Sequence, residues 1–153
     1  MVIVFDMDNT LTDDFGIKAR PGMKDFLQSL RKEKHRLILW TNSTKDRAIP
    51  ILKEHQLYAL FDKHIFREDY DPNNIGIPKD IREVEGDMII DDSPEEIAFA
   101  RKIKKRVYQI EPYRLGHGEI KNIDYEGIRS IINRNPLLHF LQTRRNSSRS
   151  DSL

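Results

Sequence analysis

Short, mainly apolar runs recur along this chain, and that pattern restricts its fold more than anything else. Val2-Ile3-Val4-Phe5, Leu37-Ile38-Leu39-Trp40, His64-Ile65-Phe66, Met88-Ile89-Ile90 and Val107-Tyr108-Gln109-Ile110 each read as a strand of four residues or so. A strand that is apolar at successive positions must be covered on both faces, which is the situation in a parallel sheet between helices. Segments of helical period separate the runs. Met23, Phe26, Leu27 and Leu30 repeat on one side of a helix that opens at Pro21-Gly22 and ends near Lys34. Ser43 or Thr44 caps a second, carrying Ala48, Ile49, Leu52 and His55 or Gln56, with Pro50 as a candidate kink or displaced start. Ser93-Pro94-Glu95-Glu96 starts a third, with Ile97, Ala98, Ala100 and Ile103 inward, and a last helix begins at Asp124 and carries Ile128, Ile131 and Ile132. Strand–helix alternation predicts an α/β fold: a single-domain, Rossmann-like three-layer sandwich around a parallel sheet of about five strands.

The 153 residues suit one domain, expected over 1–134, with 135–153 a polar Ser/Arg-rich tail expected to be disordered. The formal net charge of +1 gives no global attraction to nucleic acid or membrane. Absence of cysteine excludes disulfides, thiol nucleophiles and thiolate zinc sites. Met1 leads directly into the first apolar run with no basic stretch or cleavage site, and no apolar run approaches ~18 residues. A cytoplasmic protein with no membrane partner is expected. Nothing in the sequence bears on oligomeric state.

Sites in such sheets form beyond the carboxyl ends of the strands. There the sequence places Asp6-Met7-Asp8-Asn9-Thr10, Thr41-Asn42-Ser43 and Asp91-Asp92-Ser93. Two like charges ~4 Å apart repel by about 4 kcal/mol near a protein surface, so clustered carboxylates call for protons or a cation. An all-oxygen donor set without thiolate or imidazole suits Mg2+ shared with a phosphate. The five histidines, His35, His55, His64, His117 and His139, have no metal-ligand spacing. Thr41 offers a hydroxyl to the remaining phosphate oxygens and Lys79 a cation.

These residues resemble the four motifs of the haloacid dehalogenase (HAD) superfamily in order: Asp6-Met7-Asp8-Asn9-Thr10, Thr41 after a strand, Lys79, and Ile89-Ile90-Asp91-Asp92. A narrower resemblance is to the capless phosphatases of the RNA polymerase C-terminal-domain type (the NLI-interacting-factor-like group). Arg20-Pro21-Gly22-Met23, Leu39-Trp40-Thr41, Phe66-Arg67-Glu68, Pro78-Lys79-Asp80 and Ile89-Ile90-Asp91-Asp92-Ser93-Pro94 carry it. Asn9 and Asp92 depart from that group's usual acidic residue and Asn, and only Leu11 to Ala19 stands where it inserts a substrate-docking hairpin. The proline-rich phosphopeptide that the hairpin reads therefore does not carry over.

The resemblance implies a HAD-like phosphatase without a cap domain, with a defined set of roles. Asp6 is the nucleophile that becomes an aspartyl-phosphate and a metal ligand. Asp8 is the general acid and base, with its backbone carbonyl on the metal. Thr41 and the Asn42 N–H hold phosphate, and Lys79 neutralises it. Asp91 and Asp92 complete the metal site, with Asp92 favoured as direct ligand and Asp91 as support; the sequence leaves open which. The plainer readings are a turn or capping Asp at residue 6, a solvated carboxylate at 8, a capping hydroxyl at 41 and a surface lysine at 79. Ser93 is sufficiently explained as a helix cap, and Thr10 as a residue ordering or simply ending its motif. An open site favours a phosphoprotein, then a phosphorylated nucleic-acid end, or a small metabolite if a partner supplies a lid. The rival from another class is a binding module using Arg101-Lys102-Ile103-Lys104-Lys105-Arg106 and the tail toward an acidic partner or nucleic acid.

Overall fold

The computed structural model describes residues 1–116 and 123–134, in two compact units, Met1–Ile123 and Asp124–Leu153. In the first unit, strands β1 (Val2–Phe5), β2 (Arg36–Trp40), β3 (Lys63–Ile65), β4 (Met88–Asp91) and β5 (Arg106–Gln109) pair in parallel in the order β3-β2-β1-β4-β5. Helices α1 (Met23–Lys32), α2 (Lys45–Glu54), α3 (Arg67–Tyr70) and α4 (Pro94–Lys102) join them, with single 3-10 turns at Tyr58–Leu60 and Ile81–Val84. The α/β sandwich with a five-stranded parallel sheet is therefore as expected. Among the described residues there is no cap, and no helix is long and apolar enough to cross a membrane.

Burial explains why these runs form strands. Val4, Ile38, Trp40, Ile65 and Ile89 share one face and pack with Ile97 and Ala100 of α4 and with Ile81 and Val84. By strand alternation Ile3, Phe5, Leu37 and Leu39 turn to the other face, and all four are buried. Helix α1 contacts β2 and buries Met23, Phe26, Leu27 and Leu30, the i, i+3, i+4, i+7 stripe. Each such side chain contributes about 1.5–3 kcal/mol when fully buried. Gly22, at φ 77°, turns the chain into α1 in a conformation open to glycine.

Several boundaries differ from the sequence reading. Strand β3 lies one residue earlier than His64–Phe66, because Phe66 instead precedes α3, its N–H donating to Asp69 Oδ2 at 2.9 Å. Strand β5 is likewise displaced, since Arg106 pairs opposite Met88. Asp91 is the last residue of β4 rather than the first beyond it. Ala98 faces solvent, not the core. Pro50 neither moves the start of α2 nor breaks it: the proline is exposed, and the carbonyl it leaves unbonded belongs to Asp46, also exposed.

In the second unit, Asp124 caps α5 (Tyr125–Ile132) by accepting the Gly127 N–H at 2.8 Å, and Ile128 and Ile132 are buried. The tail read as disordered, 135–153, and the loop histidine His117 lie outside the described residues, as does His139.

Candidate active site

The chain runs outward from β1 to β2 and β3, then returns to lay β4 on the other side of β1. That reversal opens a crevice at the carboxyl ends of β1 and β4, where ligands bind in sheets of this kind. Asp6 follows β1 directly, its N–H donating to the Ile90 carbonyl at 3.1 Å, and Asp91 ends β4. The sheet therefore sets these two acids side by side. Beyond Asp6 the backbone turns through Asn9, at φ 62°, a left-handed conformation that asparagine tolerates. The N–H groups of Thr10 and Leu11 donate to the Met7 carbonyl. Arg20 fixes the turn from behind, donating to the carbonyls of Thr10 (2.8 Å), Asn9 (2.6 Å) and Glu111 (2.6 Å).

Lys79 is 4% exposed, so the surface-lysine reading fails. Its ammonium lies 2.9 Å from Asp6 Oδ1 and 2.7 Å from Asp91 Oδ2, while Asp91 Oδ1 accepts the Ser93 N–H at 2.9 Å. Both Asp91 oxygens are thus engaged within the protein. Burial pushes the Asp6 carboxyl up to about 7 against the pull of Lys79, and pushes Asp91 up to about 6. The Lys79 ammonium is held above its usual range, its burial outweighed by the two carboxylates.

Asp92 is half-buried and stands on the other side of Asp6. Thr10 Oγ1 lies 3.4 Å from both Asp6 Oδ2 and Asp92 Oδ1. Burial raises both Asp6 and Asp92; their mutual interaction raises Asp6 further and opposes the rise of Asp92, which favours a shared proton held on Asp6. Oxygens of Asp6, Asp91 and Asp92 lie within 4.8 Å of one another. Three clustered acids matched by one ammonium, two of them sharing a proton, are the donor set a hard dication fits: it can replace that proton. Asn9 Oδ1, buried in the wall of the same cleft, accepts no hydrogen bond from the described residues.

The Asp8 side chain does not join that cluster. Its two oxygens lie 2.9 and 3.0 Å from Nη1 of Arg47, which also donates to Ser43 Oγ and to the Asp14 carbonyl. Burial raises Asp8, and Arg47 partly offsets it. Thr41 is buried, and its Oγ1 accepts the Ser43 N–H at 3.0 Å rather than capping α2, whose N-cap is Thr44. Having accepted one bond, that hydroxyl keeps its proton to donate. Asn42 sits beside it, with Arg67 donating to its carbonyl at 2.8 Å. Ser93 caps α4, accepting the Glu96 N–H at 3.4 Å, as expected.

Asp6, Asp8, Thr41, Asn42, Lys79, Asp91 and Asp92 all line one cleft of about 260 Å³. The sequence reading missed others. Arg47 carries no motif signal. Glu96 looked like an ordinary first-turn acid, yet its Oε2 accepts the Lys79 N–H at 2.8 Å. Tyr70 lines the cleft with its hydroxyl pushed up to about 12, chiefly by burial. Asp71 was read only as part of a turn; it is buried and organises the loop that delivers Lys79.

A family model described as NLI interacting factor-like phosphatase matches residues 1–143. No curated protein matches the chain. Among solved structures, a Thermotoga maritima protein assigned as a β-phosphoglucomutase is similar with a TM-score of 0.61 at 12% identity, over 83% of this chain and 90% of that one. The core domain of a Streptococcus pneumoniae TIGR4 protein assigned as a phosphoglycolate phosphatase gives 0.55 at 14%, over 87% and 96%. A hydrolase from the same organism gives 0.53 at 13%, over 76% of this chain and 58% of its own. At these identities the structural likeness speaks for the fold.

Proposed function

The chain belongs to the NLI interacting factor-like phosphatase family of the HAD superfamily, and from that premise we propose that it is a magnesium-dependent phosphomonoester hydrolase that carries the phosphoryl group on Asp6. The observation that best supports this is the asymmetric setting of Asp6: Lys79 sits on Oδ1, and Asp92 with Thr10 lies toward Oδ2. One oxygen of a carboxylate so placed is free to attack once the shared proton is removed.

Asp6, Asp92 and the Asp8 backbone carbonyl would hold the metal, with Asp91 positioning Lys79 behind them. Bound Mg2+ supplies positive charge to the carboxylates and to a phosphate oxygen. The Asp6 carboxylate attacks phosphorus, and the bond to the leaving oxygen breaks as Asp8 gives that oxygen a proton. Water then attacks the aspartyl-phosphate, Asp8 takes its proton, and Asp6 is released with inorganic phosphate. Lys79, the Thr41 hydroxyl and the Asn42 N–H meet the charge on the phosphate oxygens throughout. Among the described residues no lid covers the cleft, which favours a phosphoprotein as substrate. Its acidic lining weighs against a nucleic-acid end, and the intact acid set against a purely binding role. The lack of cysteine suits a reducing compartment, and the cytoplasm is the proposed location.

Hydrolysis of p-nitrophenyl phosphate with Mg2+ or EDTA, by wild type and Asp6→Asn, tests the reading. Turnover that needs both the metal and Asp6, with acid-stable label trapped on the protein from a labelled substrate, is expected. Equal turnover in EDTA, or an active Asp6→Asn, overturns it.

A further inference from the structure

Two surface loops beside the cleft share one construction: a buried carboxylate gathers several backbone N–H groups, and the loop it fixes turns large apolar side chains to solvent. Asp13 accepts from Phe15 at 2.7 Å, Ile17 at 3.3 Å and Lys18 at 2.5 Å. Asp71 accepts from Ile75 at 3.0 Å, Gly76 at 3.0 Å and Ile77 at 3.3 Å. Phe15 is 67% exposed, Ile17 62%, Ile75 73% and Ile77 41%; these are the exposed large apolar side chains of the described residues. Loops held this firmly keep such side chains from folding away, and ordered apolar groups in water are poised to bind.

Both loops adjoin the reaction cleft. Gly76 and Ile77 line it, and Arg47 ties the other loop to the general acid by donating to both the Asp8 carboxylate and the Asp14 carbonyl. A cleft of about 260 Å³ takes a phosphoryl group and the side chain that bears it, so the rest of a large substrate lies across the rim. Asp8, Asp71, Asp92 and Glu96 line the cleft against the single ammonium of Lys79, which repels a polyanionic strand. A sugar phosphate has nothing apolar to offer these loops. A polypeptide satisfies both conditions.

We propose that Phe15, Ile17, Ile75 and Ile77 form an apolar collar that selects phosphorylated polypeptides with large apolar side chains beside the phosphorylated residue. The proposal rests on the phosphoprotein reading above and adds to it the determinants of sequence preference.

Two phosphoserine peptides of equal length, flanked by leucines or by aspartates, serve as probes alongside p-nitrophenyl phosphate, using the full chain with Mg2+. Wild type is expected to favour the leucine peptide in kcat/KM. Phe15→Ser with Ile75→Ser is expected to lower that value about tenfold or more, since burying one such side chain is worth at least that. Turnover of p-nitrophenyl phosphate and of the aspartate peptide should hold, and Phe15→Leu with Ile75→Val should restore the preference. Equal turnover of both peptides by wild type, or no change in the serine variant, overturns the collar. So does a serine variant altered only in self-association by sedimentation, which would make the loops a contact between copies. Hydrolysis of p-nitrophenyl phosphate but of neither peptide sinks the phosphoprotein reading and the collar with it, whereas the preceding outcomes leave that reading intact.

Discussion

Without metal, this protein should become less stable as pH rises from 5 to 8, because the folded state holds a proton on Asp6 that the unfolded chain has released. The Asp6 carboxyl is raised from 3.8 to about 7 by burial, with Asp92 adding to it and Lys79 opposing it. Between those values the folded state binds more protons than the unfolded one. A raised acid of this kind stabilises fully only below the unfolded value, and that stability is lost as pH climbs to the folded one. Three units correspond to about 4 kcal/mol in all, of which about 3 kcal/mol falls between pH 5 and 8. Asp6→Asn, which cannot titrate, is the reference. His35, held below 6.5 chiefly by burial, slopes the opposite way but is common to both proteins and cancels. Asp13, Asp62, Asp69 and Asp80 are lowered from 3.8 and titrate below this range, whereas Asp8, Asp92 and Glu96 are raised and slope the same way as Asp6. Asp91, raised to about 6 partly by Asp6 itself, adds to the difference in the same direction. Urea denaturation in EDTA at pH 5 and pH 8 measures the effect, and Mg2+ at a hundred times its Kd should return about 2.7 kcal/mol at pH 8. If the difference between wild type and Asp6→Asn is flat across the range, or favours pH 8, the proton-sharing account of the site is wrong.

Lys79→Met leaves two buried carboxylates facing each other and should cost about 3–5 kcal/mol at pH 8, less at pH 5 where they hold protons, by urea denaturation. Asp91→Asn removes the anion that positions Lys79 and should weaken Mg2+ binding about 10–100-fold by calorimetry, without abolishing it. Arg47→Met takes away the cation that favours ionised Asp8, so the limb of the kcat/KM profile governed by Asp8 should move to higher pH. Ser93→Ala deletes the cap of α4 and should cost about 1 kcal/mol, read as a lower Tm.

Legibility in the sequence followed from how local each cause was. The runs at Val2, Leu37 and Met88 announced themselves because strands buried on both faces are apolar at successive positions, and the acids at 6, 8, 91 and 92 stood out because they ended those runs. The ends of β3 and β5 were less clear, since Phe66 and Ile110 are apolar and buried without being paired into the sheet. Lys79 stood out as a candidate cation, but only the family resemblance of its Pro78-Lys79-Asp80 context lifted it above a surface lysine; nothing in one lysine among many tells that it is buried between two acids. Arg47 and Glu96 could not be read at all, because their meaning lies in distances across the cleft, to Asp8 and to the Lys79 N–H. Helix α3 was missed because a single turn has too few residues to show a period.

Phe5 lies opposite Ile90, so Asp6 and its neighbour Asp91 meet only when the two halves of the chain have closed on each other. Closing so long a loop is entropically unfavourable until the contacts beyond it reward it. A half-assembled intermediate that had joined only β1, β2 and β3 would contain Asp6, Asp8 and Thr41 yet have no chemistry. Regain of catalysis during refolding would then time the docking of β4 against β1, making the enzyme's own turnover a clock for the last long-range step of its assembly.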